Sequence, residues 1–219
     1  MSKRVLIALT ALIVVVAFVG GAFLYDRYGK ASVPAITRVT ETLVRPHSPV
    51  IGPMLAPVTI VEFLDPSCEA CRSFYPIVKQ IMATYPKEVR LVIRYTPFHE
   101  GSEVAAGILE AARRQGKFQP VLENLLANQP EWAVHGAPDL EKAWNFAGGA
   151  GLDVPLGKSM ASSPDFRSVL EQEVADVKAN NVRQTPTFFV NGKPLTEFGP
   201  QQLADLVLKE VERARKGSE

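Results

Sequence analysis

The stretch that most constrains the fold runs from Val58 to Tyr95. It reads VTIVEFLD, then PSC, then EACRSFYPIVKQIMATY and, after a break, EVRLVIRY. The first segment is a compact apolar run rich in β-branched residues, the pattern of a buried central strand, with Glu62 an odd charge inside it. The second places Phe74, Ile77, Val78, Ile81 and Met82 on one side of a helix, and Pro76 within it predicts a kink. The third is another strand. The chain therefore opens its folded part as strand, helix, strand.

From Ser102 to about Asn180 the spacing is helical, with segments at Ser102–Gln115, Phe118–Asn128, Asp139–Phe146 and Pro164–Asn180. Ser163 is a plausible cap for the last of these, and Pro164 opens it well. Then TPTFFVNGKPLTEF turns to β structure. Asn191-Gly192, between Thr187–Val190 and Lys193–Phe198, is a strong hairpin signal, because a type I′ turn needs positive φ at both positions. Gln201–Arg215 is a final amphipathic helix. About 90 residues separate Tyr95 from Thr185, whereas a simple crossover needs roughly 15–25. The surplus predicts a helical subdomain, about residues 100–180, inserted into an α/β core. Trp132 and Trp144 fall within it and read as packing residues.

The N-terminus has its own character. Lys3 and Arg4 (residues 1–4 a cytoplasmic stub) precede an apolar run at 5–24, and about 20 helical residues span a bilayer's hydrocarbon core. A cleaved secretory signal is the competing reading, with Gly20-Gly21-Ala22 as the cleavage site. The run continues through Phe23 and Leu24, and Tyr25 and Tyr28 follow as interfacial anchors, which favours an uncleaved transmembrane anchor. Both readings export the rest of the chain. Residues 25–49 then form a tether with one short strand at Thr42–Arg45, and the domain proper occupies 50–219. The formal net charge of +1 offers no argument for nucleic acid.

An exported location permits disulfides, and the chain has two cysteines, Cys68 and Cys71. Haem attachment needs histidine after the second cysteine, and residue 72 is Arg. Structural zinc needs four ligands, and His47, His99 and His135 show no paired spacing, so no metal or other cofactor is expected. A purely structural bridge would close too small a loop to restrain the unfolded chain. What remains is redox chemistry. Cys68 sits where a strand gives way to a helix, and unsatisfied N–H groups there stabilise a thiolate. Cys71, one turn in, is placed to bond with it. Thr185-Pro186, before the second β region, is either an ordinary strand-initiating pair or a cis-proline loop facing the cysteines. His99, after Pro97-Phe98 at the entry to the insertion, is either a neighbour of the active site or a surface residue at a helix entry, the second being the favoured reading.

Taken together, APVTIVEFLDPSCEACRSFYP, the helical insertion and VRQTPTFFVNGKPL resemble the DsbA-like group of thioredoxin-fold thiol-disulfide oxidoreductases. The resemblance implies that Cys68 is the nucleophile, Cys71 the resolving thiol, and Pro186 the cis-proline, with Thr185 beside it at the client site. It implies a proton shuttle at Glu62, with an ion pair to Arg94 the alternative. It further implies client proteins carrying cysteines and, in the favoured disulfide-donating direction, a membrane redox partner of the DsbB type. The alternatives are a thiol reductase or isomerase fed by a transmembrane electron donor, and a copper- or client-binding thiol module. The short span between apolar run and domain leaves no room for a dimerisation domain and favours a monomer. The apolar run gives a single-pass placement in a bacterial inner membrane with the catalytic domain on the periplasmic side. Between the cysteines stand Glu69 and Ala70, where strongly oxidising members carry histidine. An acid beside Cys68 disfavours the thiolate, so the expected potential lies below the about −120 mV of DsbA, toward the about −270 mV of thioredoxin.

Overall fold

The computed structural model describes residues 41–217. The Val5–Leu24 run and most of the expected tether lie outside the described residues, among which no helix is long and apolar enough to cross a membrane. Five strands form one mixed sheet: β1 (Val50–Ile51), β2 (Val58–Leu64), β3 (Val89–Tyr95), β4 (Thr187–Val190) and β5 (Lys193–Pro194), in the spatial order β1-β3-β2-β4-β5. β2 and β3 are parallel, joined by helix α1 (Glu69–Thr84), while β4 runs antiparallel to β2. Helices α2 (Ser102–Arg114), α3 (Phe118–Ala127), α4 (Gln129–Trp132), α5 (Leu140–Gly149), α6 (Val154–Ala161) and α7 (Pro164–Ala179) fill the expected insertion, and α8 (Pro200–Lys216) closes the chain. The α/β fold with a helical insertion is thus present.

Strand alternation divides the core. Val58, Ile60 and Leu64 join Leu91, Ile93 and Phe188 on one face, under α1, α8 and much of the insertion. Val61, Phe63, Val92 and Phe189 join Leu43, Val177 and Val182 on the other. Successive side chains on a strand point to opposite faces, so this division follows from the register. Trp132 and Trp144 are buried in the first cluster, as expected of packing residues.

Several sequence expectations need correction. Thr42–Arg45 is not a strand: residues 41–43 are helical, Leu43 is buried, and the Thr42 carbonyl accepts from Arg94 Nη1 and Asn180 Nδ2. Side chains from elsewhere in the fold fix that backbone, which local propensity cannot anticipate. β5 is limited to Lys193–Pro194, shorter than the expected Lys193–Phe198, although Leu195 N still donates to the Phe188 carbonyl at 2.9 Å. Pro76 lies inside α1, as expected, and the helix runs through it for 16 residues in all. Two helices have no counterpart among the expected segments, α4 with four residues and α6 with eight. The hairpin turn has the expected conformation, with φ of 47° at Asn191 and 80° at Gly192, and the Asn191 side-chain oxygen accepts from Thr59 N at 2.9 Å. Ser163 caps α7 by accepting from Phe166 N at 3.2 Å.

Candidate active site

The site lies at the carboxyl ends of β2 and β3, and register explains why. Leu64 ends β2 beside Tyr95 of β3, while Phe63 lies opposite Thr187 of β4. Three connections therefore meet at one edge: the loop after β2 with Cys68, the loop after β3 with His99, and the segment before β4 with Thr185 and Pro186.

Cys68 is the N-cap of α1, with extended backbone, φ −81° and ψ 122°. The residue is 6% exposed, and its thiol donates to the Thr185 carbonyl at 3.3 Å. The Thr185–Pro186 peptide bond is cis. Cys71 is wholly buried, and both cysteines are free thiols. The two sulfurs differ sharply in acidity. Hydrogen bonds from the Cys71 thiol and from the Thr185 side chain, with the backbone N–H groups of Cys71 and Ala70, bring Cys68 down to about 5, against the opposing effect of burial. Burial pushes Cys71 far above the ordinary thiol range, and the neighbouring charges of Glu62 and Cys68 push the same way. One sulfur is a thiolate at neutral pH; the other keeps its proton.

Glu62 stands beneath this pair on the α1 face of the sheet. It is completely buried, and neither carboxylate oxygen has a hydrogen-bond partner among the described residues. Burial raises its pKa to about 8, with a smaller contribution from the Cys68 charge. The ion pair with Arg94 is absent. Glu62 is level with Ile93, and Arg94 is level with Phe63, so the two charged residues leave the sheet on opposite faces. Arg94 instead bonds Glu173 at 2.9 Å and Asp176 at 2.7 Å.

Some members of the site carried no sequence signal. Asp65, fully buried, accepts from Ser67 N, Phe98 N, His99 N, the Ser102 hydroxyl and His99 Nδ1, the last at 2.7 Å. The His99 ring stacks on His135, centroids 5.9 Å apart and planes 8° from parallel. His99 is therefore part of the active-site rim, not a detached surface residue. Gln129, at the start of α4, donates from Nε2 to the Pro66 and Cys68 carbonyls at 2.7 and 3.0 Å, tying the insertion to the cysteine loop. Glu69 points outward, its side chain 58% exposed and 3.6 Å from His135 Nε2, while Ala70 is exposed. Among the described residues no group of three or more His, Cys, Asp or Glu side chains is arranged to hold a metal ion.

Comparisons with known proteins agree with this geometry. The family model described as Thioredoxin matches residues 45–208. The Na(+)/H(+) antiporter NhaA of Herminiimonas arsenicoxydans is 30% identical over 168 residues, 77% of this chain and 26% of that protein. NhaA 3 of Salinispora tropica is 35% identical over 160 residues, 71% of this chain and 23% of that protein. The chain thus spans about a quarter of the length of these curated relatives. Among solved structures, a thioredoxin-like oxidoreductase from Silicibacter pomeroyi DSS-3 is 31% identical with a TM-score of 0.65, covering 78% of this chain and 94% of that one. Oxidised BdbD from Bacillus subtilis is 25% identical with a TM-score of 0.68, covering 76% and 94%. Wolbachia pipientis alpha-DsbA1, at 16% identity and a TM-score of 0.69 over 81% and 97%, shares the fold. The chain belongs to the thioredoxin family.

Proposed function

We propose that this chain donates a Cys68–Cys71 disulfide to client proteins outside the cytoplasm, as a monomer tethered to a membrane. The observation that carries the reading is the split between the two sulfurs, one near 5 and the other held protonated by burial. A client thiolate attacks Cys68 of the disulfide; a client–Cys68 bond forms, and the Cys68–Cys71 bond breaks. Cys71 leaves with the electron pair and takes a proton, for which Glu62 is the buried donor. The client's second thiolate then attacks its own sulfur in the mixed disulfide and expels Cys68. The client is oxidised by two electrons and the protein reduced by two. Cys68 departs readily because a low-pKa thiol is a good leaving group. Thr185 and Pro186, next to the sulfur, offer backbone to an extended client segment.

The low Cys68 pKa supports the oxidising direction, since a stabilised thiolate stabilises the reduced protein. The apolar run at 5–24 supports a membrane tether. A similar domain within chains named for sodium–proton antiport also fits work at a membrane. A DsbB-type membrane partner would restore the disulfide. The opposite direction, a reductase fed by a transmembrane electron donor, draws on Glu69, which replaces the histidine of strongly oxidising members.

The test pairs equilibration with glutathione and a Cys71→Ser variant. A potential nearer the about −120 mV of DsbA than the about −270 mV of thioredoxin, with client mixed disulfides accumulating on Cys68, is expected. A potential near thioredoxin's reverses the direction. Absence of exchange at Cys68 removes the reading altogether.

A further inference from the structure

Neither Glu69 nor Ala70 supplies a cation to the Cys68 thiolate, yet an imidazole stands at the rim of the site. His99 Nδ1 lies 2.7 Å from Asp65 Oδ2, and Asp65 is fully buried three residues before Cys68, its carbonyl accepting from Cys68 N at 3.1 Å. The outer face of the His99 ring is covered by His135, whose Nε2 is 3.6 Å from Glu69. The charged and titratable groups that His99 touches or whose charge reaches it come from three elements. They are Asp65 after β2, Cys68 and Glu69 at the start of α1, and His135 after α4.

We propose that His99, steered by Asp65 and backed by the His135 ring, is the tuning cation of this active site. In its protonated form it stabilises the Cys68 thiolate from outside the Cys-x-x-Cys loop. The proposal rests on the reading of Cys68 as the reactive thiolate.

Geometry selects His99 over His135 as the charged ring. Two parallel imidazoles at this spacing resist carrying a proton each, and His99 has the short bond to a buried carboxylate while the His135 side chain is 66% exposed. Burial alone would lower the His99 pKa. The Asp65 hydrogen bond and charge, followed by the charges of Cys68 and Glu69, oppose that and leave it raised above 6.5. Coupling between two titrating groups is mutual. If the Cys68 thiolate holds the proton on His99, that proton holds the thiolate on Cys68 by the same amount. The redox state must then be visible at His99, because the disulfide carries no thiolate.

The full chain has three histidines, His47, His99 and His135, so carbon-13 labelling of histidine gives a resolvable NMR titration. His47→Gln and His135→Gln variants assign the signals. From about pH 4 to about pH 10, the imidazole and thiol ranges, the reduced and disulfide forms are compared. The His99 midpoint is expected to fall by about half a unit to one unit on oxidation. His47, hydrogen-bonded to Glu173 on the other face of the sheet, supplies the reference signal. In parallel, His99→Gln is expected to lower the alkylation rate of Cys68 below its midpoint about three- to ten-fold, and to shift the glutathione equilibrium as far toward the disulfide form. Circular dichroism checks that the variant is folded. Coincident His99 midpoints in the two redox forms overturn the proposal, whether or not the variant folds. If Cys68 exchanges with clients while those midpoints coincide, only this proposal falls. If Cys68 does not ionise below the ordinary thiol range, both fall together.

Discussion

A carboxylate without a partner in a strand core has to answer for its burial through its proton, and Glu62 does so. With a pKa near 8 it stays protonated in the folded chain, whereas an unfolded glutamate ionises near about 4.3. Between those values the folded state binds one more proton than the unfolded state, so stability falls as pH rises, by about 1.4 kcal/mol per unit. The contribution is intact below the unfolded pKa and is lost as pH climbs through the folded one. Glu62→Gln should remove this slope, so that the variant gains on the parent steadily from about pH 5 to about pH 8 in urea denaturation. Parallel pH curves for the two proteins would mean Glu62 is ionised inside the fold. The same variant should slow deprotonation of Cys71 during reoxidation, by about ten- to a hundred-fold, modest for a lost general base. Glu69 is a weaker lever than its sequence position suggests. Its exposed side chain is screened by solvent and faces His135. Glu69→Gln should still lower the Cys68 pKa and raise the potential, by less than about 30 mV in the glutathione equilibrium. A lower potential in that variant would contradict the assignment. Cys68, Cys71 and Thr185-Pro186 were legible because each announces itself within a few residues of chain. Asp65, His99, His135 and Gln129 were not, because their roles consist of contacts with residues far along the chain.

Elements positioned by hydrophobic period were readable in the sequence, and elements positioned by packing were not. β2, α1, β3 and the Asn191-Gly192 hairpin follow from alternation, helical spacing and turn chemistry. α6 reads VPLGKSMA, and its proline and glycine look like breakers. Pro155 instead falls in the first turn, where its missing N–H costs nothing, and Asp153 caps the helix by accepting from Leu156 N at 3.0 Å. Gly157 lets the helix approach α5, since a Cβ there would come within 3.1 Å of the Trp144 ring. Gly107 in α2 plays the same part, with the Ala161 Cβ at 3.0 Å and the Phe166 ring at 3.2 Å from where its own Cβ would be. Gly107→Leu therefore drives α2 away from α6 and α7. An overpacking cost of about 1–3 kcal/mol is expected in urea denaturation, larger than leucine's helix propensity gain of roughly 1 kcal/mol. Any net stabilisation would show that these helices yield freely. The glutathione equilibrium of the folded variant should hold steady, because none of these contacts reaches the cysteine loop.

On the scale of the whole molecule, the sheet separates chemistry from anchorage. One face carries the cysteines, Glu62 and α1. The other carries a buried ionic network in which Arg94 meets Glu173 and Asp176, Arg45 grips both Asp176 oxygens at 2.7 Å, and His47 meets Glu173 at 2.8 Å. Residues 42–48, expected as the end of a tether, are thereby bound to α7 and to β3. Asp176 is held below the usual carboxylate range: burial works against this, but Arg45 and Arg94 prevail. Its contribution is present above the unfolded pKa of about 3.9 and disappears as pH falls through the lower folded value, opposite in sign to Glu62. Removing Arg94 leaves the two buried carboxylates with Arg45, His47 and the Gln172 amide as partners. Arg94→Met should cost about 3–5 kcal/mol, the usual consequence of an orphaned buried charge. Adding Glu173→Met should recover part of that loss, since the pair are coupled and their effects do not add. Neither change should alter the glutathione equilibrium constant of the folded protein. Phe63, whose ring lies under the Arg94 guanidinium at 5.4 Å, points away from Cys71, and the sheet lies between them. A shifted equilibrium constant in a folded Arg94→Met variant would mean that the anchorage on one face governs the sulfur chemistry on the other.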